Sequence, residues 1–197
     1  FGIMPPVTVP SAIACLASCL SAGCGTSPPS RFYALAATSA PTSATSSLVV
    51  AVGPVTVPSV VDRPEIVVQT GPNEVRIDDF NRWASPLQDN LTRALADNLS
   101  ADLGTPRVIR FPQPIAIEPD YRVVVEVRTF QSEPGVAATL DAIWTVRRTK
   151  DGKTQTGHTA VREPVAEKGY DALAAAHSRA VARASRDIAD AILALQR

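Results

Sequence analysis

Two histidines and three cysteines set the chemical reach of this 197-residue chain. Hydrolysis at neutral pH requires a positioned histidine, a cysteine or a pair of carboxylates, and the histidines are His158 and His177. His177 stands next to Ser178, but neighbouring residues on a helix point about 100° apart and cannot pair as nucleophile and base. The expectation for His177 is a packed, hydrogen-bonded histidine; His158 is expected on the strand face turned away from the core. No Gly-x-Ser-x-Gly presents a serine, and no second histidine is spaced to share a metal with either one. Neither Gly-x-Gly-x-x-Gly nor Gly-x-x-x-x-Gly-Lys is there to cradle a phosphate. The residue types therefore imply no catalytic site, no cofactor and no metal.

The cysteines point to different chemistry. Cys15, Cys19 and Cys24 precede every charged residue, and the chain beyond Cys24 holds no cysteine, so the rest cannot form a disulfide. Ile13 to Gly23 is an apolar, small-residue run of signal-peptide length, short of the roughly 20 apolar residues that a membrane-spanning helix requires. Small residues before a cysteine are the pattern of bacterial lipid attachment, in which the thiol becomes a thioether to diacylglycerol and the leader is removed. Ser21-Ala22-Gly23-Cys24 has them, with Leu20 one place earlier than the pattern prefers. Leu16-Ala17-Ser18-Cys19 fits letter for letter but leaves only a stub of apolar core upstream. Cys24 is the expected attachment point and Cys19 the alternative. Phe1 to Pro10 lacks the basic residues that usually open such a leader. The expected organisation is a leader over 1–23, a lipidated cysteine with a flexible tether over 24–30, and a single domain over 31–197.

Lys plus Arg and Asp plus Glu balance at 19 each, so no net field draws the domain to nucleic acid. Arg179, Arg183 and Arg186 gather on the last helix, but Asp187 and Asp190 follow, as on a solvated face. Leu48 to Val57 is apolar on both alternating faces and belongs mid-sheet, with Pro54 marking a bulge or an unpaired N–H. Gly71-Pro72-Asn73 joins two short strands as a hairpin. Ser85 as N-cap, Pro86 as first helical residue and Gln88 start a helix that runs to Leu103, where Gly104 and Pro106 stop it. Thr38 to Ser47 reads as a flexible loop by composition. Tyr121 to Phe130 alternates apolar and charged residues, so one face is wet. Asp151-Gly152 signals a two-residue turn whose register makes opposed residue numbers sum to 303, placing Trp144 opposite Thr159. A last helix, Tyr170 to Leu195, carries an apolar stripe at three and four spacing. The fold class expected is α+β, a mixed β-sheet with two long helices packed on one face.

The order and spacing of several short stretches are more specific than any one of them: Cys24-Gly25-Thr26-Ser27-Pro28-Pro29-Ser30-Arg31-Phe32-Tyr33, Val52-Gly53-Pro54-Val55 through Pro58, Asp62-Arg63-Pro64, Trp83-Ala84-Ser85-Pro86-Leu87, and Tyr170-Asp171-Ala172-Leu173 with Ala176-His177-Ser178. Across nearly the whole mature chain they resemble the ABC-type transport auxiliary lipoproteins, the PqiC-like family. The family usually carries Glu where Ser85 stands. The resemblance implies a non-catalytic lipoprotein on the periplasmic face of the bacterial outer membrane. Its partner would be an MCE-domain protein that moves lipids or other hydrophobic molecules between the membranes, and the lipoprotein itself a ring-shaped homo-oligomer. Asp62, Arg63, Pro64, Trp83 and Pro86 become the candidate partner-facing or structural motif. Gly25, in place of the Asp that retains enteric lipoproteins in the inner membrane, points the same way. A periplasmic solute-binding or sensing lipoprotein with an apolar pocket between helices and sheet is the alternative.

Overall fold

Alternation with a period of two gives a strand one buried face and one wet face, and β6 (Tyr121–Glu133) follows it: Val123, Val125 and Val127 are buried while Arg122, Val124, Glu126 and Arg128 are exposed. The computed structural model describes residues 1–3, 28–43, 45–111 and 117–197. Cys15, Cys19, Cys24 and the expected leader from residue 4 to residue 23 lie outside the described residues. Antiparallel to β6 runs β7 (Ala137–Arg148), and antiparallel to β7 runs β8 (Thr154–Pro164). On its other side β6 pairs in parallel with β2 (Val50–Thr56), which pairs in parallel with β5 (Val108–Arg110). The order β5-β2-β6-β7-β8 makes a mixed sheet with β2 inside it, as its two-sided apolar pattern requires. The register slips between Val52 and Val55, around a cis Gly53–Pro54 bond, so Pro54 sits in a bulge.

Two helices cover one face of this sheet. Leu87, Leu91, Ala94, Leu95 and Leu99 of α1 (Leu87–Leu103) are buried above β2 and β5. Leu173, Ala174, His177, Val181, Ala184, Ile188 and Ile192 of α2 (Tyr170–Gln196) are buried above β7, β8 and α1. Each large aliphatic side chain removed from water contributes roughly 1.5–3 kcal/mol. Gly104, in the left-handed conformation with φ 62°, ends α1 as expected.

Four expectations change. The strands form two mixed sheets instead of one: β1 (Arg31–Tyr33), β4 (Glu74–Trp83) and β3 (Glu65–Gly71) make a separate three-stranded sheet in the order β1-β4-β3. Period-two patterns fix which face is buried but carry no information on which strands pair. Pro86 has ψ 138° and is the N-cap of α1, so Ser85 lies one residue outside the helix and caps nothing. The β7–β8 register sums to 301, placing Trp144 opposite Gly157 and Thr159 opposite Ala142. Gly152, at φ 71°, donates its N–H to the Arg148 carbonyl, closing a longer loop with a left-handed residue at its end in place of the two-residue turn. A shift of two in the sum keeps every side chain on its expected face, so Trp144 is still buried and His158 still points outward. Finally, the stretch from Thr38 is fastened along α1, as described below.

Candidate functional site

The Asp62-Arg63-Pro64 turn and the Trp83-to-Pro86 stretch, 21 residues apart at Asp62 and Trp83, meet where β4 hands over to α1. The Trp83 amide donates to the Pro64 carbonyl at 2.8 Å, and the Ala84 amide donates to the Tyr33 carbonyl at 2.8 Å. Asp62 accepts a hydrogen bond from Gln88 Nε2 at 3.2 Å, on the first turn of α1. Arg63 Nε and Arg82 Nη2 take the two oxygens of Glu65 at 3.3 and 3.2 Å. The backbone amide of Glu65 and the Arg63 guanidinium hold that carboxyl below its usual range. The Pro86 carbonyl accepts the Asn90 amide at 3.0 Å. Asp62, Arg63, Pro64 and Pro86 are exposed, whereas Trp83 is buried. Four of the five motif residues thus form a surface clasp over the fifth.

Trp83 packs against a buried histidine in the core. Its ring meets Phe130 edge-on at 6.0 Å and His177 at 6.4 Å, and the His177 imidazole stacks on Phe130 at 3.8 Å with an interplanar angle of 11°. His177 Nε2 and Ser132 Oγ share a hydrogen bond of 2.8 Å. This serine–histidine pair differs from a hydrolytic one in two ways: both side chains are buried, and among the described residues Nδ1 has no carboxylate or other partner to orient it. Burial pushes the imidazole down to about 3, so the ring is neutral and a weak base at pH 7. His158 Nε2 instead lies 3.0 Å from Asp141 on the outer face. Among the described residues no group of three His, Cys, Asp or Glu side chains could hold a metal ion.

α1 and α2 also capture the chain that leads into β2. Asn90 Oδ1 accepts the Leu35 amide at 3.0 Å, Asn98 Oδ1 accepts both the Thr38 and Ser39 amides at 2.9 Å, and Ser178 Oγ accepts the Ala36 amide at 3.0 Å. Further on, the Thr42 amide donates to the Ala101 carbonyl and the Ser46 amide to that of Gly104. Both asparagines and Ser178 are fully or nearly fully buried, and each captured amide would otherwise be an unpaired donor against a helix. At the far end of α2, Tyr170 Oη donates to Asp78 Oδ2 at 2.6 Å, tying the helix start to the three-stranded sheet. Burial tends to raise the Asp78 carboxyl, but hydrogen bonds from Tyr170, Asn81 and the Phe80 and Asn81 amides outweigh it and hold it low. Burial, then Asp78, pushes the Tyr170 hydroxyl up to about 12.

A family model described as the ABC-type transport auxiliary lipoprotein component matches residues 33–189, from Tyr33 in β1 through most of α2. The chain belongs to that family. The match spans both the clasp and the captured segment of this auxiliary lipoprotein. No curated protein matches it. Among solved structures, one titled only as an uncharacterized protein is 24% identical with a TM-score of 0.68, covering 84% of this chain and 99% of its own. A protein from Xanthomonas campestris is 22% identical with a TM-score of 0.67, covering 81% and 93% respectively. A PelC dodecamer from Paraburkholderia phytofirmans is 15% identical with a TM-score of 0.42, covering 76% and 91%. The first two show that the auxiliary lipoprotein shares their fold.

Three functional-looking features escaped the sequence reading. Ser132 and His177 are 45 residues apart, and no local pattern pairs them. Asn90 and Asn98 left a signal: both lie on the apolar side of α1 among Leu87, Leu91, Ala94, Leu95 and Leu99, where an amide side chain needs a partner. Asp78 left another, since an acid inside a strand can accept amides two and three residues on; it accepts Phe80 N and Asn81 N at 3.0 Å each, where the β3–β4 register slips.

Proposed function

We propose that this auxiliary lipoprotein is anchored by lipid on Cys24 to the periplasmic face of the bacterial outer membrane. There, as a homo-oligomer and without catalysis, it docks an MCE-domain protein of the same transport system, one that moves lipids or other hydrophobic molecules between the membranes. The observation that carries the reading is the family match over residues 33–189. The sealed, neutral Ser132–His177 pair supports a role without catalysis. The exposed clasp of Asp62, Arg63, Pro64 and Pro86 is the proposed partner-facing motif, braced by buried Trp83. Cys24 and Phe32 are eight residues apart, a span of at most roughly 28 Å when extended, which keeps the domain against its membrane. One lipid chain alone binds a membrane only marginally, whereas diacylglycerol with an N-acyl chain anchors it stably.

Crosslinking in intact envelopes, followed by capture of the lipoprotein, tests the proposal. The expected product is an adduct with an MCE-domain protein, lost when Asp62 and Arg63 are both replaced by Ala. Full-length protein should incorporate a palmitate analogue and Cys24→Ser should not; labelling that survives Cys24→Ser but not Cys19→Ser moves the anchor to Cys19. Recovery of the domain with a lipid enclosed in it, and no MCE adduct, would favour the solute-binding alternative.

A further inference from the structure

The edge of the five-stranded sheet at β8 is open. Antiparallel ladders alternate between residues that bond their partner strand and residues whose N–H and C=O point away from it. The Val165 amide donates to the Val136 carbonyl and the β7–β8 register is unbroken, so the odd-numbered residues of β8 bond β7. The backbone groups of Thr154, Thr156, His158, Ala160 and Arg162 therefore face outward, and among the described residues no strand pairs with them. Proteins usually blunt such an edge with charged side chains, a proline or a bulge; Arg162 and Pro164 guard the end of β8, but from Thr154 to Val161 there is no Lys, Arg, Asp, Glu, proline or bulge.

Along this edge lies a groove of about 560 Å³ between β8 and α2, and its helix wall carries Arg179, Arg183 and Arg186. The helix runs antiparallel to the strand. Arg179 Nε bonds Glu163 at 2.9 Å, while Asp187 Oδ2 accepts from Thr159 Oγ1 at 2.6 Å. Eight residues of helix, about 12 Å, thus match four residues of strand, about 13 Å. Arg183 lies 3.5 Å from Asp187; Arg186 makes no ion pair within 4 Å among the described residues and is attracted by the Asp102 carboxylate from outside the groove, so the lining itself holds three guanidinium groups against two carboxylates. The arginine side chains of the existing pairs are about half exposed or more, at 46% and 60%. Such pairs contribute little and exchange partners readily.

We propose that the β8 edge and these arginines form a docking groove for an extended acidic segment of a partner protein. The segment adds to the sheet as a further strand, and its main-chain groups take those of Thr156, His158 and Ala160. Side chains on one face of a strand recur about every 6.6 Å, close to the roughly 6 Å rise between Arg179 and Arg183. Carboxylates at alternate positions therefore meet successive arginines, and guanidinium groups favour them through paired N–H donors. The inference goes beyond the clasp, since it assigns a second face and the chemistry of what binds there.

Fluorescence anisotropy of the full chain with labelled peptides of about ten residues tests it. An alternating Glu-Val peptide should bind at least about tenfold more tightly than one of the same composition with its glutamates in a block, or than an alternating Lys-Val peptide. Ala160→Pro removes one outward N–H without touching the β7 ladder and should weaken binding about tenfold, as should Arg183→Glu. Equal binding of the two acidic peptides would reduce the groove to a general polyanion surface and overturn the proposal. So would an Ala160→Pro protein of unchanged thermal midpoint that binds as the parent does. Self-association lost in Ala160→Pro, with no peptide bound, would assign the edge to a second copy of this chain and equally overturn it. If Ala160→Pro fails to fold, the alternating-against-block contrast and Arg183→Glu decide.

Discussion

Under the helices, the five-stranded sheet buries Val50, Val52, Val123 and Val146 completely, whereas the three-stranded sheet leaves Phe32, Val75 and Ile77 open to solvent. Area removed from water holds the first. The second reaches the same core through fewer residues, Ile66, Val67, Val68 and Trp83, whose ring meets Phe130 edge-on, and a single hydrogen bond from Tyr170 to Asp78 ties it to the start of α2. A hydrogen bond to a carboxylate contributes a net of about 1.5 kcal/mol, against roughly 1.5–3 for each buried aliphatic side chain. The small sheet is thus the less stable unit, and parts that must adapt to a partner are drawn from that end of the stability range. The clasp sits on it.

The sharpest way to break the larger sheet is at Gly157. A Cβ there would lie 2.1 Å from Trp144 Cζ2, so Gly157→Ala must displace an indole that donates to Thr159 at 3.0 Å. The expected loss is about 3 kcal/mol in urea unfolding; a loss under about 1 kcal/mol would show the sheet to be less tightly packed than the comparison requires.

Next comes the buried imidazole that joins the two regions. His177 titrates near 3 in the fold and near 6.5 when unfolded, so between those values the unfolded chain binds a proton that the folded one does not. Stability is therefore fully present above 6.5 and falls as the pH drops below it, by up to about 1.4 kcal/mol per pH unit. His177→Gln should flatten the profile between pH 4.5 and 6.5; an unchanged slope would place the titration elsewhere.

Tyr170→Phe cuts a hydrogen bond to a carboxylate and should cost about 1.5 kcal/mol. The accompanying rise in amide exchange should be confined to β3 and β4. The low Asp78 carboxyl makes the opposite partner of that bond acid-labile: its contribution is present above the unfolded pKa of about 4 and lost as the pH falls further. Exchange that rose equally in β6 and β7 would mean the two sheets unfold as one. Smallest in stability is the pair Asp62→Ala with Arg63→Ala, expected within about 0.5 kcal/mol of the parent because both side chains are exposed. Its effect should fall on partner capture instead.

How much could be read from the residues follows the same division. The faces of β6 and α2 were legible because burial repeats at two residues in one and at three and four in the other, and hydrophobic burial is what stabilises them. The hairpin at Gly71-Pro72-Asn73 and the stop at Gly104 were legible from turn chemistry. The division into two sheets was not, because it depends on which strand edge β4 meets, a choice made by distant packing. The β7–β8 register failed for a local reason: Asp-Gly serves a short turn and a longer bulged loop equally well. In the candidate site, Asp62, Arg63, Pro64, Trp83 and Pro86 were singled out by resemblance, and the structure brings them together. The Ser132–His177 contact depends on the pairing of β6 with its neighbours and left no trace in either segment alone.

The captured segment between β1 and β2 bears on mechanics. Its amides are fastened in order along α1, Leu35 at Asn90, Thr38 and Ser39 at Asn98, Thr42 at Ala101 and Ser46 at Gly104. A pull on Arg31, such as a membrane anchor would transmit, first loads the three rungs of β1 on β4 and then each fastener in turn. The load is spent on bonds that break singly and re-form on release, before it reaches the packed face of the large sheet. In force spectroscopy with the handle at Ser30, small reversible steps should precede the main rupture, and Asn98→Ala should remove one of them. The domain would then have an elastic strap between its anchor and its core.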